Sequence, residues 1–285
     1  MAATIVNGRA IAATVRAEVE QEVRALRERT GIQPALAIVR AGEDPSAASY
    51  ARQILRACEQ VGMVAHERVL PADVSTEDFA QAVAEVCADE RVHGVLLQEP
   101  YPPQVEAHRV VAALDPGKDV DGVHPLNAGR LLHNEGEFFV PATALGGLEL
   151  LKRAGLEILG RRAVVVGRSN IVGKPLALLL LHEHATVTVC HSRARDLAEV
   201  TRQADILAVA VGRPRLITGE MVQPGAVVLD FGINFVEGKM VGDVDFDSVV
   251  QVAGHLTPVP GGTGPMTNAM LLRNLLQACQ RQVLR

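Results

Sequence analysis

The stretch Ala163-Val-Val-Val-Gly-Arg-Ser-Asn-Ile-Val-Gly-Lys-Pro175 decides how the rest of the chain is read. Apolar residues run into Gly167, and the spacing to Gly173 is G-x5-G. Lys174-Pro175 then opens the apolar run Leu176 to Leu181. A β-branched run, a glycine turn and a proline-marked helix start predict a buried parallel strand feeding a helix. The N-terminus of such a helix offers unpaired N–H groups and the positive end of its dipole, which together suit a phosphate. The turn matches the G-x-G-x-x-G fingerprint only in part, so an ordinary strand-to-helix turn stays the alternative at this point.

Outward from this stretch, strand and helix patterns alternate in both directions. Ile11, Val15, Val19, Val23 and Leu26 recur at helical spacing between Gly8 and Thr30. Strands follow at 34–39, 64–70 and 92–98, with helices at 47–61, from Ser75, and at 104–114. Ser75 with Asp78 three residues on is a variant capping box. Further helices are expected at 126–132 and 144–154. After the glycine turn come helix 176–183 and strands 186–190, 205–211 and 226–231. A last strand surrounds Leu256, and helix 266–282 ends the series. This alternation predicts an α/β fold with parallel sheets covered on both faces. Ligands then sit beyond the carboxyl ends of the strands, at the loops 41–50, 98–103 and 115–125. The last of these, Asp115-Pro-Gly-Lys-Asp-Val-Asp-Gly-Val-His-Pro125, reads equally well as a domain linker.

Composition narrows the classes. The chain of 285 residues suggests about two domains, and 48% hydrophobic content is ample for their cores. A net charge of -5 without a basic block argues against nucleic acid, as do 3% aromatics and the lack of tryptophan. Cys58, Cys87, Cys190 and Cys279 are far apart, and read as reduced core residues of a cytoplasmic protein. No metal site is expected, because His182-Glu183-His184 would splay its two imidazoles on a helix. No signal peptide or membrane span is legible, and the run 176–181 is far too short to cross a bilayer. The first 117 residues contain no lysine.

The strand after the glycine turn ends Cys190-His-Ser-Arg-Ala-Arg195, with no acid at its tip. An NAD site would place a carboxylate there to hold the ribose hydroxyls. Hydroxyl and guanidinium donors suit a 2′-phosphate instead, so Ser192 and Arg193 favour NADP. Solvated surface arginines are the alternative.

Five stretches together resemble the bifunctional methylenetetrahydrofolate dehydrogenase/methenyltetrahydrofolate cyclohydrolases. They are 118–125 (KDVDGVHP), 165–175 (VVGRSNIVGKP), 225–234 (GAVVLDFGIN), 242–246 (GDVDF) and 257–267 (TPVPGGTGPMT). Their order and spacing fit over essentially the whole chain. The resemblance implies a folate-side three-layer α/β domain at 1–121 with 266–285, a Rossmann-type doubly wound NADP-binding domain at 140–265, and a connecting segment at 122–139. It implies a homodimer acting on tetrahydrofolate derivatives. Cofactor contacts would come from Thr143, Gly167, Arg168, Ser169, Ile171, Gly173, Ser192, Ile233 and Thr267. Folate contacts and catalysis would involve Tyr50, Gln98 and Asp121, with Gly262 and Pro265 also on the substrate. Asp121 would bind the pterin, since one carboxylate can accept two N–H bonds from an aminopyrimidinone edge.

The chain departs from the family pattern on the folate side. The family lysine four residues after the tyrosine is Ile54 here. Arg52 and Arg56 lie roughly 200° and 240° around a helix from Tyr50, so neither replaces it. The family serine before the tyrosine is Ala47, and Gln-Leu-Pro becomes Gln98-Glu99-Pro100. Pro-Cys-Thr-Pro becomes Pro141-Ala142-Thr143-Ala144, and Thr263 interrupts Gly-Gly-Val-Gly-Pro. Hydride transfer from methylenetetrahydrofolate needs orientation rather than a base. Hydrolysis of the methenyl product needs proton transfer, for which a lysine of tuned pKa serves. The first reaction is therefore expected to survive better than the second, unless Gln53 or a water held by Tyr50 and Gln98 takes over. The rival readings are a non-catalytic folate- or NADP-binding paralogue, and a dehydrogenase of the same architecture on another small molecule.

Overall fold

The computed structural model describes residues 2–284. In chain order the elements are β1 (Thr4–Ile5), α1 (Gly8–Thr30), β2 (Ala35–Ala41), α2 (Pro45–Gln60), β3 (Val64–Leu70), α3 (Thr76–Ala88), β4 (Gly94–Leu97), α4 (Ala107–Ala112), α5 (Pro125–His133) and α6 (Ala142–Arg153). They continue with β5 (Arg162–Val166), α7 (Gly173–His182), β6 (Thr186–Cys190), α8 (Leu197–Thr201), β7 (Ile206–Val209), β8 (Val227–Asp230), β9 (Asn234–Val236), β10 (Lys239–Val241), α9 (Phe246–Val249), β11 (His255–Leu256) and α10 (Thr263–Val283). The chain divides into two compact units. The first comprises Thr14–Ala142 with the residues from Asn268 onward, and the second comprises the residues up to Ala13 with Thr143–Thr267.

In the first unit three parallel strands lie in the order β3-β2-β4. Residues 36–39 of β2 are buried without alternation, as a strand covered on both faces requires. Ala37, Val39, Val95 and Leu97 pack against Phe79 and Val83 of α3 and Val110 of α4. The chain leaves β2 toward β3 on one side and returns to β4 on the other. The carboxyl ends of β2 and β4 therefore bound a switch point, where a ligand crevice forms.

The second unit is a doubly wound, Rossmann-type sheet, all parallel, in the order β1-β11-β8-β7-β5-β6. Its core joins Val164 and Val166 to Leu207, Val209, Val228 and Leu256. Here the switch point lies between β5 and β7, the strands on either side of the reversal.

The long periodic segments fall where the sequence places them, and short elements account for the differences. The N-terminal residues pair with β11 through Thr4↔His255 and Ile5↔Leu256, which groups them with the second unit rather than with 14–121. Residues 122–142 group with the first unit instead of forming a separate connection. The hairpin β9–β10 was not legible, because its turn is Glu237-Gly238 rather than Asn-Gly. Both residues have positive φ, 51° and 76°, as a two-residue hairpin turn requires. Helix α7 starts at Gly173, three residues before the apolar run, so Pro175 sits in its first turn, where a missing N–H is harmless.

Candidate active site

The glycine turn after β5 is tight for steric reasons. Gly167 has φ +134°, and a Cβ there would lie 2.2 Å from Ala210 O. A Cβ on Gly173 would lie 2.3 Å from Gly167 O. The free donors are not those expected from sequence. Ser169 Oγ accepts the N–H groups of Val172 (3.1 Å) and Gly173 (3.3 Å), and Ser169 O accepts that of Lys174 (3.1 Å). The start of α7 is thus capped from within. Among the described residues, the N–H groups of 168–171 have no protein partner. These successive amides in the turn itself, rather than the first turn of the helix, are the donors left for an anion. Lys174 does not point at the turn's opening as a free cation, since its Nζ donates to Asn170 Oδ1 at 2.7 Å.

Beyond β5, β6 and β7 lies a cavity of ≈ 320 Å³. Gly167 and Arg168 line it from β5, His191 and Ser192 from β6, and Val211 and Arg213 from β7. No carboxylate lines it. Arg193 does not reach it and is exposed, its N–H bonded to His191 Nδ1 at 3.2 Å. Arg213 is the second guanidinium, and it was not singled out from sequence. It lies beyond the strand that follows β6 in the chain but neighbours β5 in the sheet, and only the strand order reveals this. Its loop is held from below. Asp243, fully buried, accepts the N–H groups of Val211 (2.6 Å) and Gly212 (2.9 Å) on one oxygen and Asn234 Nδ2 (2.9 Å) on the other. Asp230 accepts three N–H groups, from Gly232, Asp243 and Val244, yet burial still pushes its carboxyl up to about 6.

The other expected cofactor and substrate positions of this unit are more dispersed. Ile171 and Ile233 are exposed, at 45% and 62%. Thr267 and Thr143 meet through their hydroxyls at 3.3 Å. Gly262 is buried in the turn before α10, where a Cβ would strike Pro258 O at 2.6 Å, and Pro265 lies in the first turn of that helix. Both belong to the second unit, whereas Tyr50, Gln98 and Asp121 belong to the first.

Those three residues converge at the carboxyl ends of β2 and β4. Asp44 caps α2, accepting from Ser46 and Ala47, and Pro45 follows it at the helix start. The buried face of α2 is Ala47, Ala51, Ile54 and Cys58, and Tyr50 is half-buried one turn past the start. Gln98 follows β4 directly, and its Nε2 donates to Ala47 O. Gln98 Oε1 is buried without a hydrogen-bond partner. A parallel bridge pairs Val95 with Asp119, which sets Asp121 level with the end of β4. Asp119, fully buried, fixes this loop by accepting Val123 N, His124 N and Asn127 Nδ2.

Burial pushes the Asp121 carboxyl up to about 7. The Asp119 and Glu99 carboxylates add to the rise, and the Ala142 N–H at 3.4 Å opposes it. Burial, with the Asp121 charge second, raises the Tyr50 phenol well above its usual range. Tyr101 is raised in the same way, chiefly by burial and then by Glu99, Asp121 and Asp119, so it faces the same recess. Its ring stands edge-on to Phe79 at 5.6 Å.

Ile54 is 1% exposed and packs as a core side chain, while Arg52, Gln53 and Arg56 are exposed. The one lysine of this unit is Lys118, and it is buried elsewhere. Its Nζ donates to Cys87 O (2.7 Å) and Asp89 O (2.9 Å), capping the carbonyl end of α3. Among the described residues no group of three or more His, Cys, Asp or Glu could hold a metal, and no helix is long and apolar enough to cross a membrane.

The family model for the tetrahydrofolate dehydrogenase/cyclohydrolase catalytic domain matches residues 6–121, and the model for that family's NAD(P)-binding domain matches 141–283. The chain is 51% identical over 284 residues to bifunctional protein FolD of Roseiflexus sp. (strain RS-1), covering 99% of this chain and 98% of that protein. It superposes on the bifunctional enzyme FolD, methylenetetrahydrofolate dehydrogenase/cyclohydrolase, of Campylobacter jejuni with a TM-score of 0.96 at 38% identity, over 98% of this chain and 99% of that one. The Trypanosoma brucei methylenetetrahydrofolate dehydrogenase-cyclohydrolase, solved with NADP and an inhibitor, gives 0.95 at 37% identity over 100% of both chains. The chain therefore belongs to the tetrahydrofolate dehydrogenase/cyclohydrolase family, and carries both its catalytic and its NAD(P)-binding domain.

Proposed function

We propose that this chain oxidises 5,10-methylenetetrahydrofolate to 5,10-methenyltetrahydrofolate with NADP+, and that it hydrolyses the methenyl product slowly. The observation that carries the reading is the contrast between the two units. The glycine turn and its carboxylate-free cavity are in place, while Ile54, which we read as the family's lysine position, is buried and apolar.

The residues present fit NADP. Gly167 and Gly173 leave room that a Cβ would fill, the free N–H groups of 168–171 suit a diphosphate, and Arg168, Ser192 and Arg213 suit a 2′-phosphate. NADP+, when bound, supplies the hydride acceptor. Ile171, Ile233, Thr143 and Thr267 complete the contacts implied by the family pattern, and Arg193 is left to solvent. On the folate side, ionised Asp121 accepts two N–H donors of the pterin ring. Tyr50 remains a neutral phenol that donates and stacks, and Gln98 is fixed by its bond to Ala47 O. Gly262, in the turn before α10, and Pro265, in the first turn of that helix, complete the substrate contacts implied by the family pattern. Oxidation leaves a cation shared by two nitrogens, so orientation suffices.

Hydrolysis is different. Water adds to the methenyl carbon, a ring C–N bond breaks, and a proton must reach the released nitrogen. Ile54 can neither hold nor move that proton. Removal of such a group slows a step by ~10²–10⁴-fold. The same substitution, with Ala47 and Glu99, supports a second reading, a non-catalytic folate- and NADP-binding paralogue.

We place the protein in the cytoplasm as a homodimer joined through the second unit. Four unpaired thiols support a reducing setting. Phe235, 70% exposed and paired with Met240 on the hairpin, supports burial of that unit by a second copy. The function is tested by following NADPH formation with methylenetetrahydrofolate, and with NAD+ or with hydroxy and amino acids as controls. Reduction of NADP+ by the folate alone is expected. Failure with the folate but binding of it would leave the paralogue, and turnover of another substrate would overturn the reading.

A further inference from the structure

The two segments that meet at Asp121 share no backbone hydrogen bond among the described residues. One is 119–122. The other is 139–142, whose Ala142 N–H reaches Asp121 Oδ1. They press together closely. Gly122 has φ +63°, and a Cβ there would lie 2.6 Å from Pro141 N and from Val140 C. Proline has no N–H to donate across this contact, so something else must satisfy the carbonyls. The side chain that does so comes from α10. Asn274 is 2% exposed, and its Nδ2 donates to Val120 O at 2.7 Å and to Val140 O at 3.0 Å. One carbonyl precedes Asp121 and the other lies two residues before Ala142. The carboxamide therefore joins the two segments at the point where the carboxylate is presented.

We infer that Asn274 is a positioning residue for folate, acting through Asp121 by bridging Val120 O and Val140 O. The inference rests on the reading of Asp121 as the folate-binding carboxylate. A planar amide with two fixed N–H directions holds both carbonyls at once, which a hydroxyl or a single-donor side chain cannot do. Without it the 119–122 turn is free to part from 139–142, and the bond from Ala142 N–H, already long at 3.4 Å, is the first to open.

The test compares N274L, D121N and the double variant, with KM measured separately for methylenetetrahydrofolate and NADP+. N274L keeps the size of the side chain and removes both donors. We expect its folate KM to rise about tenfold, its NADP+ KM to stay within about twofold, and the pH dependence of its folate KM to shift. N274H, which retains one donor, is expected to fall between, and serves if N274L does not fold. The double variant is expected to match D121N alone in folate KM, because Asn274 acts through that carboxylate. Effects that add in the double variant, or that raise both KM values alike, would overturn the positioning role. A folate KM unchanged in D121N would instead overturn the reading of Asp121 on which it rests.

Discussion

With Asp121 as the proposed folate-binding carboxylate, its burial should set the pH dependence of folate use. Its carboxyl titrates at about 7 in place of 3.8, a difference on the order of 4 kcal/mol in favour of the neutral acid. On the proposed reading only the carboxylate can accept two N–H donors from the pterin, so the binding-competent fraction would be about a tenth at pH 6, a half at pH 7 and nine-tenths at pH 8. The folate KM should fall about fivefold from pH 6 to 7 and about twofold from 7 to 8. Steady-state NADPH formation over that range, at saturating NADP+, measures it. The sign for stability is opposite. A carboxyl whose pKa is raised on folding holds its proton longer in the folded state, so its contribution declines as pH rises from about 4 to about 7. D121N, which has no proton to lose, should therefore be more stable than the parent at pH 8 and match it near pH 4, while using folate poorly at both. E99Q removes one of the carboxylates that raise Asp121, so it should move the KM inflection to lower pH. Glu99 is exposed, and the displacement should shrink in high salt. A folate KM flat from pH 6 to 8, or an inflection near 4, would refute the reasoning.

Other perturbations address the scaffold and the cofactor side. R213A removes one of two guanidiniums from a cavity without carboxylates, and should raise the NADP+ KM by about 10–100-fold while changing the NAD+ KM little. D243N replaces an acceptor of two backbone N–H groups beneath the same loop, and should raise the NADP+ KM while leaving the folate KM in place. K118M leaves Cys87 O and Asp89 O without their ammonium, and should destabilise the protein by about 2–3 kcal/mol in denaturant titration.

Local chemistry made part of this site legible in the sequence. The 163–175 stretch announces strand, turn and helix because apolar run, glycines and proline each act within a few residues. The free N–H groups differ from those expected for an equally local reason, since Ser169 turns its hydroxyl back onto the helix start and accepts the N–H groups of Val172 and Gly173. Asp121 is one of three acids in a turn, and nothing but the family pattern separates it from Asp115 and Asp119. Their different fates follow from the bridge of Asp119 to Val95, a contact across 24 residues of sequence. The placement of Arg213 and Asn274 was out of reach because it depends on strand order and on a helix far along the chain. Lys118 shows the converse. A lysine within three residues of Asp121 invites a catalytic role, and the structure uses it to close the end of α3.

The most direct measurement sets the two family reactions side by side in one preparation, as NADPH formation from methylenetetrahydrofolate and as methenyl hydrolysis above the buffer blank. Ile54 is buried and apolar at the position we propose for the ionisable ammonium of the hydrolytic step. On that proposal hydrolysis should trail the oxidation by about 10²–10⁴-fold, and I54K should raise hydrolysis alone. Hydrolysis that keeps pace with NADPH formation in the unaltered protein would contradict it.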